Sequence, residues 1–432
     1  MAIKSIKQLR NLTGKRVLVR VDFNVPIERK KILDDTRLLA SLPTIEFLIK
    51  NKAKIILISH LGRPDGKIVR SLKMDAIAAH LGKLLKRKVK KLETGNFKFN
   101  QKRRNYFEKQ IDKMHPGQVV MLDNIRFSSD EEKNTGTLAK EISEFGDIFV
   151  MDGFSVAHRA SASVVGIAEH LPAYAGLLLR EEIKGLERVT KFPKKPFVAI
   201  MGGIKVATKA PVIKNLLPKV SYILIGGGIL NTYLYARGYK VGDSIVDKGY
   251  KSDVLKFGGD RKVILPVDVI VGTKDGKSFR LVDLKKKPHQ VCKKGEAIFD
   301  IGPQSICLFS SYIKKAQTIV WNGAMGYFEQ EPYNIGTFSV ARSVASRSKG
   351  KAFGVIGGGE TIQAMEDVQM SEYMDLISTG GGALLEFLSG KNLPGVVALK
   401  KNKSRTTFFT TKNKNSLFSA TSSKKKVVRD KK

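Results

Sequence analysis

The chain has 432 residues, 42% of them hydrophobic, and a formal net charge of +37. Its length favours two domains or more, each able to bury a core. No run of 18 uncharged apolar residues occurs, so no membrane helix is indicated, and the segment Met1 to Lys7 lacks the apolar centre of a secretion signal. Cys292 and Cys307 are too few for a disulfide framework and have no zinc spacing, so reduced, mostly buried thiols in a cytoplasmic protein are expected.

In chain order, apolar runs at 16–21, 54–58, 118–122 and 147–151 read as strands. Between them, helical patterns lie near 37–51, 74–86, 103–113 and 137–145. Alternation of this kind argues for parallel strands with crossover helices. The ends of the four strands each deliver a cation beside polar groups. The first leads through Arg20 into Asp22 and Asn24, the second into His60 and Arg63, the third into Asp123, Asn124 and Arg126, the fourth into His158 and Arg159. In a parallel sheet those ends share one edge, so the cations converge. With no metal-ligand spacing, they point to a small phosphorylated or carboxylated molecule. Arg37 follows Asp34-Asp35-Thr36 in what looks like a helix start; the aspartates alone suffice to balance its charge there.

The segment 175–186 carries Leu and Ile at helical spacing and is expected to form a connecting helix of about four turns with hinges at its ends. Beyond it, strands are expected at 197–201, 221–225, 262–265, 318–321, 353–356 and 375–378. Three of these run into glycine triplets: Gly226-Gly227-Gly228, Gly357-Gly358-Gly359 and Gly380-Gly381-Gly382. A strand that ends in glycines and turns into a helix leaves backbone N–H groups free for a close anionic ligand. Gly202-Gly203 leads to Lys205 and Lys209, with Thr208 the expected N-cap and Pro211 in the first turn. Two lysines at a helix N-terminus oppose its dipole unless an anion lies between, which makes them phosphate-binding candidates.

From residue 401 the composition changes to Lys, Ser, Thr and Asn, and the segment reads as a disordered basic tail. It holds eleven Lys/Arg and one Asp, leaving a net +27 spread over the first 400 residues. Charge so diffuse reads as solvated faces, with weak non-specific nucleic-acid binding through the tail at low salt.

These segments together resemble phosphoglycerate kinase over about residues 5–400. The family motifs R-V-D-F-N-V-P and S-H-L-G-R-P stand unaltered at 20–26 and 59–64. Leu265-Pro266-Val267-Asp268, Phe299-Asp300-Ile301-Gly302-Pro303, Trp321-Asn322-Gly323 and Ser378-Thr379-Gly380-Gly381-Gly382 match in order. The resemblance implies an α/β fold of two similar-sized lobes, each a Rossmann-like parallel sheet flanked by helices, joined by a helix and hinge. The expected division is 1–175, a connecting helix 176–190, 191–400, and the tail 401–432.

It further implies that Asp22, Asn24, Arg37, His60, Arg63, Arg126 and Arg159 hold 3-phosphoglycerate or 1,3-bisphosphoglycerate in the first lobe. ADP or ATP with Mg²⁺ would lie in the second, against Gly203, Lys205, Lys209, Gly226, Gly227, Gly228, Asn322, Glu329, Gly357, Gly358, Gly359, Glu360 and Thr361. Arg37 and Lys205, with the Gly380 and Gly381 amides, become the expected catalytic groups. A monomer and no membrane are expected. The alternatives are an inactive nucleotide-binding relative or an enzyme with an added nucleic-acid-binding tail. Four departures stand out: Ile204 where the family has Ala, Gly153 and Ser155 in its D-A-F-G, Ala324 for Pro, and Glu360 for the Asp that ligates the nucleotide's magnesium.

Overall fold

The computed structural model describes residues 3–286 and 288–401; the basic tail beyond Lys401 lies outside them. In the first half, β1 (Arg16–Arg20), β2 (Lys54–Ile58), β3 (Lys90–Leu92), β4 (Val119–Leu122), β5 (Ile148–Met151) and β6 (Ala173–Ala175) form one parallel sheet, ordered β3-β4-β2-β1-β5-β6. In the second half, β7 (Phe197–Met201), β8 (Tyr222–Ile225), β9 (Val263–Ile264), β10 (Thr318–Asn322), β11 (Phe353–Gly357) and β12 (Leu376–Ser378) form another, ordered β9-β8-β7-β10-β11-β12. Helices cover both faces of each sheet. The strands are therefore apolar throughout rather than alternating: β4, β5, β7 and β10 are buried at every position.

Strand order reverses once in each sheet, beside its first strand. The gaps lie between β1 and β5 in one and between β7 and β10 in the other. Open α/β sheets bind ligands outside the carboxyl ends of the strands at such reversals. Asp22 and Ser155 follow the first pair; Gly203 and Gly323 follow the second.

The connecting helix runs Leu177–Lys191 and buries Leu179, Ile183, Leu186 and Val189. Burying each such side chain contributes roughly 1.5–3 kcal/mol, so the connector is packed on both halves rather than solvated. The helix Pro394–Lys401 returns to the first half: Gly395 N donates to Ala157 O at 2.9 Å, and Val396 and Leu399 are buried.

The structure differs from expectation in several places. Strands β3 and β6 are three residues each, too short to show a pattern. An antiparallel sheet of Asp268–Gly272, Phe279–Asp283 and Ala297–Ile301 sits beside the second parallel sheet. The helix after Gly203 spans Val206–Leu216 with Lys205, not Thr208, at its N-cap. Pro211 is thus inside the helix, forgoing one intrahelical bond. Cys292 is buried, as expected, whereas Cys307 is exposed.

Candidate functional site

Past the end of β1, the chain turns so that Asp22 and Asn24 face the crevice. Asp22 is buried, and its Oδ2 accepts from Arg37 Nη1 at 2.8 Å. The same guanidinium nitrogen donates to Asn24 O at 2.9 Å, and Asn24 Oδ1 accepts from Gly62 N at 2.8 Å. Arg37 lies in the first turn of the helix Thr36–Lys50, with Asp35 at its N-cap. Arg126 Nη1 donates to Gly62 O at 2.7 Å, and Glu132 pairs with both Arg126 at 3.1 Å and Arg159 at 3.6 Å. Arg63 is exposed beside Gly62. All seven first-half candidates therefore gather at one sheet edge.

The basin's charge decides its protonation. Burial, with Arg20, Arg126 and Arg159 nearby, pushes the His60 imidazole well below its usual value. His60 is neutral at neutral pH, and Arg20 Nη2, which can only donate, lies 3.2 Å from its Nδ1. The ring proton therefore sits on Nε2. Asp22 stays ionised: burial opposes its charge, but His60 whenever it is protonated, Arg37, the Ser155 hydroxyl and Arg20 act against that and hold its carboxyl below the ordinary value.

In the second half, the loops after β7, β8 and β10 touch backbone to backbone. Gly203 N donates to Ala324 O at 2.8 Å, Gly227 N to Met325 O at 2.9 Å and Gly228 N to Gly203 O at 2.9 Å. Gly203 and Gly227 adopt φ of +78° and +57°, and a Cβ on Gly227 would lie 2.8 Å from Gly203 N. Only glycine fits there. These loops wall a cavity of about 540 Å³ lined by Gly203, Gly227, Gly228, Glu329 and Glu360 together with apolar Leu230, Ile245 and Ile298. Gly226 is the N-cap of the helix Gly227–Ala236, and Gly358 that of the helix Gly359–Asp367. Thr361 Oγ1 accepts from Gly323 N at 2.6 Å. Asn322 Nδ2 donates to Gly357 O, while its buried Oδ1 has no partner among the described residues. Lys205 is exposed at the helix N-cap. Lys209 is half-buried one turn on; burial lowers its pKa, and Glu360 offsets part of that.

The two halves touch at the third glycine turn. Gly380 backs onto the Phe154 ring so closely that a Cβ would lie 2.3 Å from it. A Cβ on Gly382 would lie 3.7 Å from His158 Nε2, so the first-half His158 stands beside the second-half amides. Behind them, Glu182 of the connecting helix accepts from Thr379 N at 2.8 Å and Thr379 Oγ1 at 3.1 Å. Burial pushes the Glu182 carboxyl up to about 7.

A family model described as "Phosphoglycerate kinase" matches residues 6–391. The phosphoglycerate kinase of Pelotomaculum thermopropionicum is 44% identical over 406 residues, covering 92% of this chain and 99% of its own. That of Borreliella afzelii is 41% identical over 408 residues, covering 93% and 100%. The chain belongs to the phosphoglycerate kinase family. Solved structures agree: that of phosphoglycerate kinase from Coxiella burnetii superposes with a TM-score of 0.80 at 37% identity, covering 92% of this chain and 99% of its own. The Pyrococcus horikoshii enzyme also gives 0.80, at 31% identity, covering 93% and 99%. The α/β fold with two helix-flanked parallel sheets is thus the fold of phosphoglycerate kinases.

Three groups that the sequence alone does not single out lie beside the candidate residues. His158, next to Arg159, stands beside Gly382. Its position after a strand, next to a selected arginine, was the available signal. Ser155 donates to Asp22 Oδ2 and was noticed only as a departure from the family motif. Glu182 gave no signal, because a carboxylate in a helix of alternating charge reads as solvated.

Proposed function

We propose that this member of the phosphoglycerate kinase family catalyses the reversible transfer of a phosphoryl group from 1,3-bisphosphoglycerate to ADP, giving 3-phosphoglycerate and ATP. The observation that carries the reading is the pairing of two sheet reversals. One presents an arginine-rich basin, the other a glycine-walled cavity, and the Gly380–Gly382 turn of the second half stands against Phe154 and His158 of the first. The first lobe takes the phosphoglycerate through Asp22, Asn24, Arg37, His60, Arg63, Arg126 and Arg159. The second takes the nucleotide through the glycine turns, Lys205, Lys209, Asn322, Glu329 and Thr361.

The chemistry asked of the protein is positioning and charge neutralisation. Arg37 and Lys205 balance charge on the transferring oxygens from the two sides, with the Gly380 and Gly381 amides assisting. The attacking oxygen is already ionised, so no general base is needed. The neutral His60 donates from Nε2 to the bound anion.

Among the described residues no group of three or more His, Cys, Asp or Glu could hold a metal by itself. Mg²⁺ usually takes one or two protein carboxylates and leaves the remaining positions to phosphates and water. Glu360 fits that role: its Oε2 lies 3.1 Å from where a Gly203 Cβ would be, on the cavity wall near Lys209. The ion, when bound, supplies charge neutralisation on the nucleotide phosphates. We further assign the enzyme as a cytoplasmic monomer. The test is a coupled assay with 3-phosphoglycerate, ATP and Mg²⁺. Turnover that requires all three supports the reading; tight nucleotide binding without turnover would mark an inactive relative.

A further inference from the structure

We propose that Ser155 is a positioning residue for this reaction: its hydroxyl holds the Asp22 carboxylate in the orientation that presents Oδ2 to Arg37. The inference rests on the functional reading above and adds a residue to it.

Ser155 lies in the 3₁₀ turn Phe154–Val156, just past β5, across the strand-order reversal from Asp22 at the end of β1. Its Oγ donates to Asp22 Oδ2, the oxygen that also accepts from Arg37 Nη1 at 2.8 Å. Asp22 Oδ1 faces the other way. It accepts from Asn24 N at 3.1 Å and lies 3.5 Å from His60 Nδ1. The carboxylate of an aspartate turns easily about its last torsion, which is broad and two-fold. Fixing it needs donors on both oxygens.

On Oδ1 the donor is the Asn24 amide, in the loop after β1. Among the described residues, Ser155 is the one hydrogen-bond partner of Oδ2 besides Arg37. Arg37 is itself the group that must be aimed, so Ser155 is the anchor that does not depend on it. Among the described residues the Ser155 side chain makes this one hydrogen bond. It caps no helix and supports no backbone carbonyl. The family motif that otherwise matches this segment reads glycine here.

The ionised Asp22 faces Arg37, His60 and Arg20 as well as Ser155. Removing the hydroxyl takes away one donor that favours the ionised form, so Asp22 titrates at higher pH.

The experiment uses the full chain with 3-phosphoglycerate, ATP and Mg²⁺. An inactive wild type would refute the functional reading itself and is seen before any variant is made. In an active wild type, Ser155→Ala is expected to lower kcat about ten-fold, the rate equivalent of one charge-assisted hydrogen bond. KM for ATP should stay unchanged, and the acid limb of the kcat/KM profile should move to higher pH. Ser155→Thr, which keeps the hydroxyl, is expected to restore both. In an Arg37→Ala background, Ser155→Ala should cost nothing further, because there is no guanidinium left to aim. The proposal is overturned if Ser155→Ala matches wild type in kcat and pH profile, or if its loss is just as large without Arg37. A lowered unfolding midpoint with unchanged kinetics also overturns it, by making the serine structural.

Discussion

At the residue scale, the arginine and lysine on opposite walls differ in how they are held. Arg37 is tied to Asp22 and to Asn24 O, whereas Lys205 stands exposed at a helix N-cap. Both are assigned to the transferring group, so both act mainly in the transition state. Arg37→Ala is expected to lower kcat about 10³-fold with little change in KM, by analogy with loss of a charged stabiliser in phosphoryl transfer. Lys205→Ala should do the same, while Lys209→Ala should raise the nucleotide KM. Steady-state kinetics in both substrates checks this, and near-normal kcat in Arg37→Ala would contradict it. Glu360 is tested through its metal. Glu360→Gln is expected to raise the Mg²⁺ concentration giving half-maximal rate, and Glu360→Asp to leave it equal or lower. An unchanged Mg²⁺ requirement in the glutamine variant would reduce Glu360 to a residue in the first helical turn.

At the element scale, the connecting helix is tied to the turn at Thr379 by a buried carboxylate. The Glu182 pKa is raised from 4.5 to about 7, chiefly by burial. The folded form therefore holds its proton more tightly than the unfolded chain. Its stabilising contribution is complete below the unfolded pKa and is lost as pH rises through about 7. Asp152, raised to about 7, and Asp300, raised to about 8, act in the same direction. Urea midpoints measured across this range are expected to fall with rising pH in the wild type, and less steeply in Glu182→Gln. Equal slopes would show that Glu182 does not titrate with folding. The helix Pro394–Lys401 sets a boundary for truncation. Ending the chain at Lys401 should keep kcat within about two-fold, because no described contact is lost. Ending it before Pro394 should cost activity and stability together, because buried Val396 and Leu399 then leave the first lobe. Abolition of activity by the cut at Lys401 would give the basic tail a structural role.

At the scale of the whole molecule, the apolar runs were enough to foresee two parallel sheets flanked by helices. They worked because strands buried on both faces are written as continuous apolar segments. What escaped was whatever lacked length or sequence proximity. Lys90–Leu92 and Ala173–Ala175 carry no period, and the antiparallel sheet from Asp268 to Ile301 interrupts the alternation. Pro211 misled because the helix begins before the residue expected to cap it. The contacts of Ser155 with Asp22, and of Glu182 with Thr379, join positions 133 and 197 residues apart. Spacing along the chain cannot express such pairs; the folded sheet edge can.

The central claim is that the two walls bind different substrates and act only together. Calorimetric titration of the wild type, Arg159→Ala and Lys209→Ala, each with 3-phosphoglycerate and separately with Mg²⁺ and ADP, tests it most directly. Arg159→Ala is expected to weaken phosphoglycerate binding and leave nucleotide binding unchanged, and Lys209→Ala to do the reverse. A substitution on one wall that weakened both ligands equally, or only the ligand assigned to the other wall, would contradict the account.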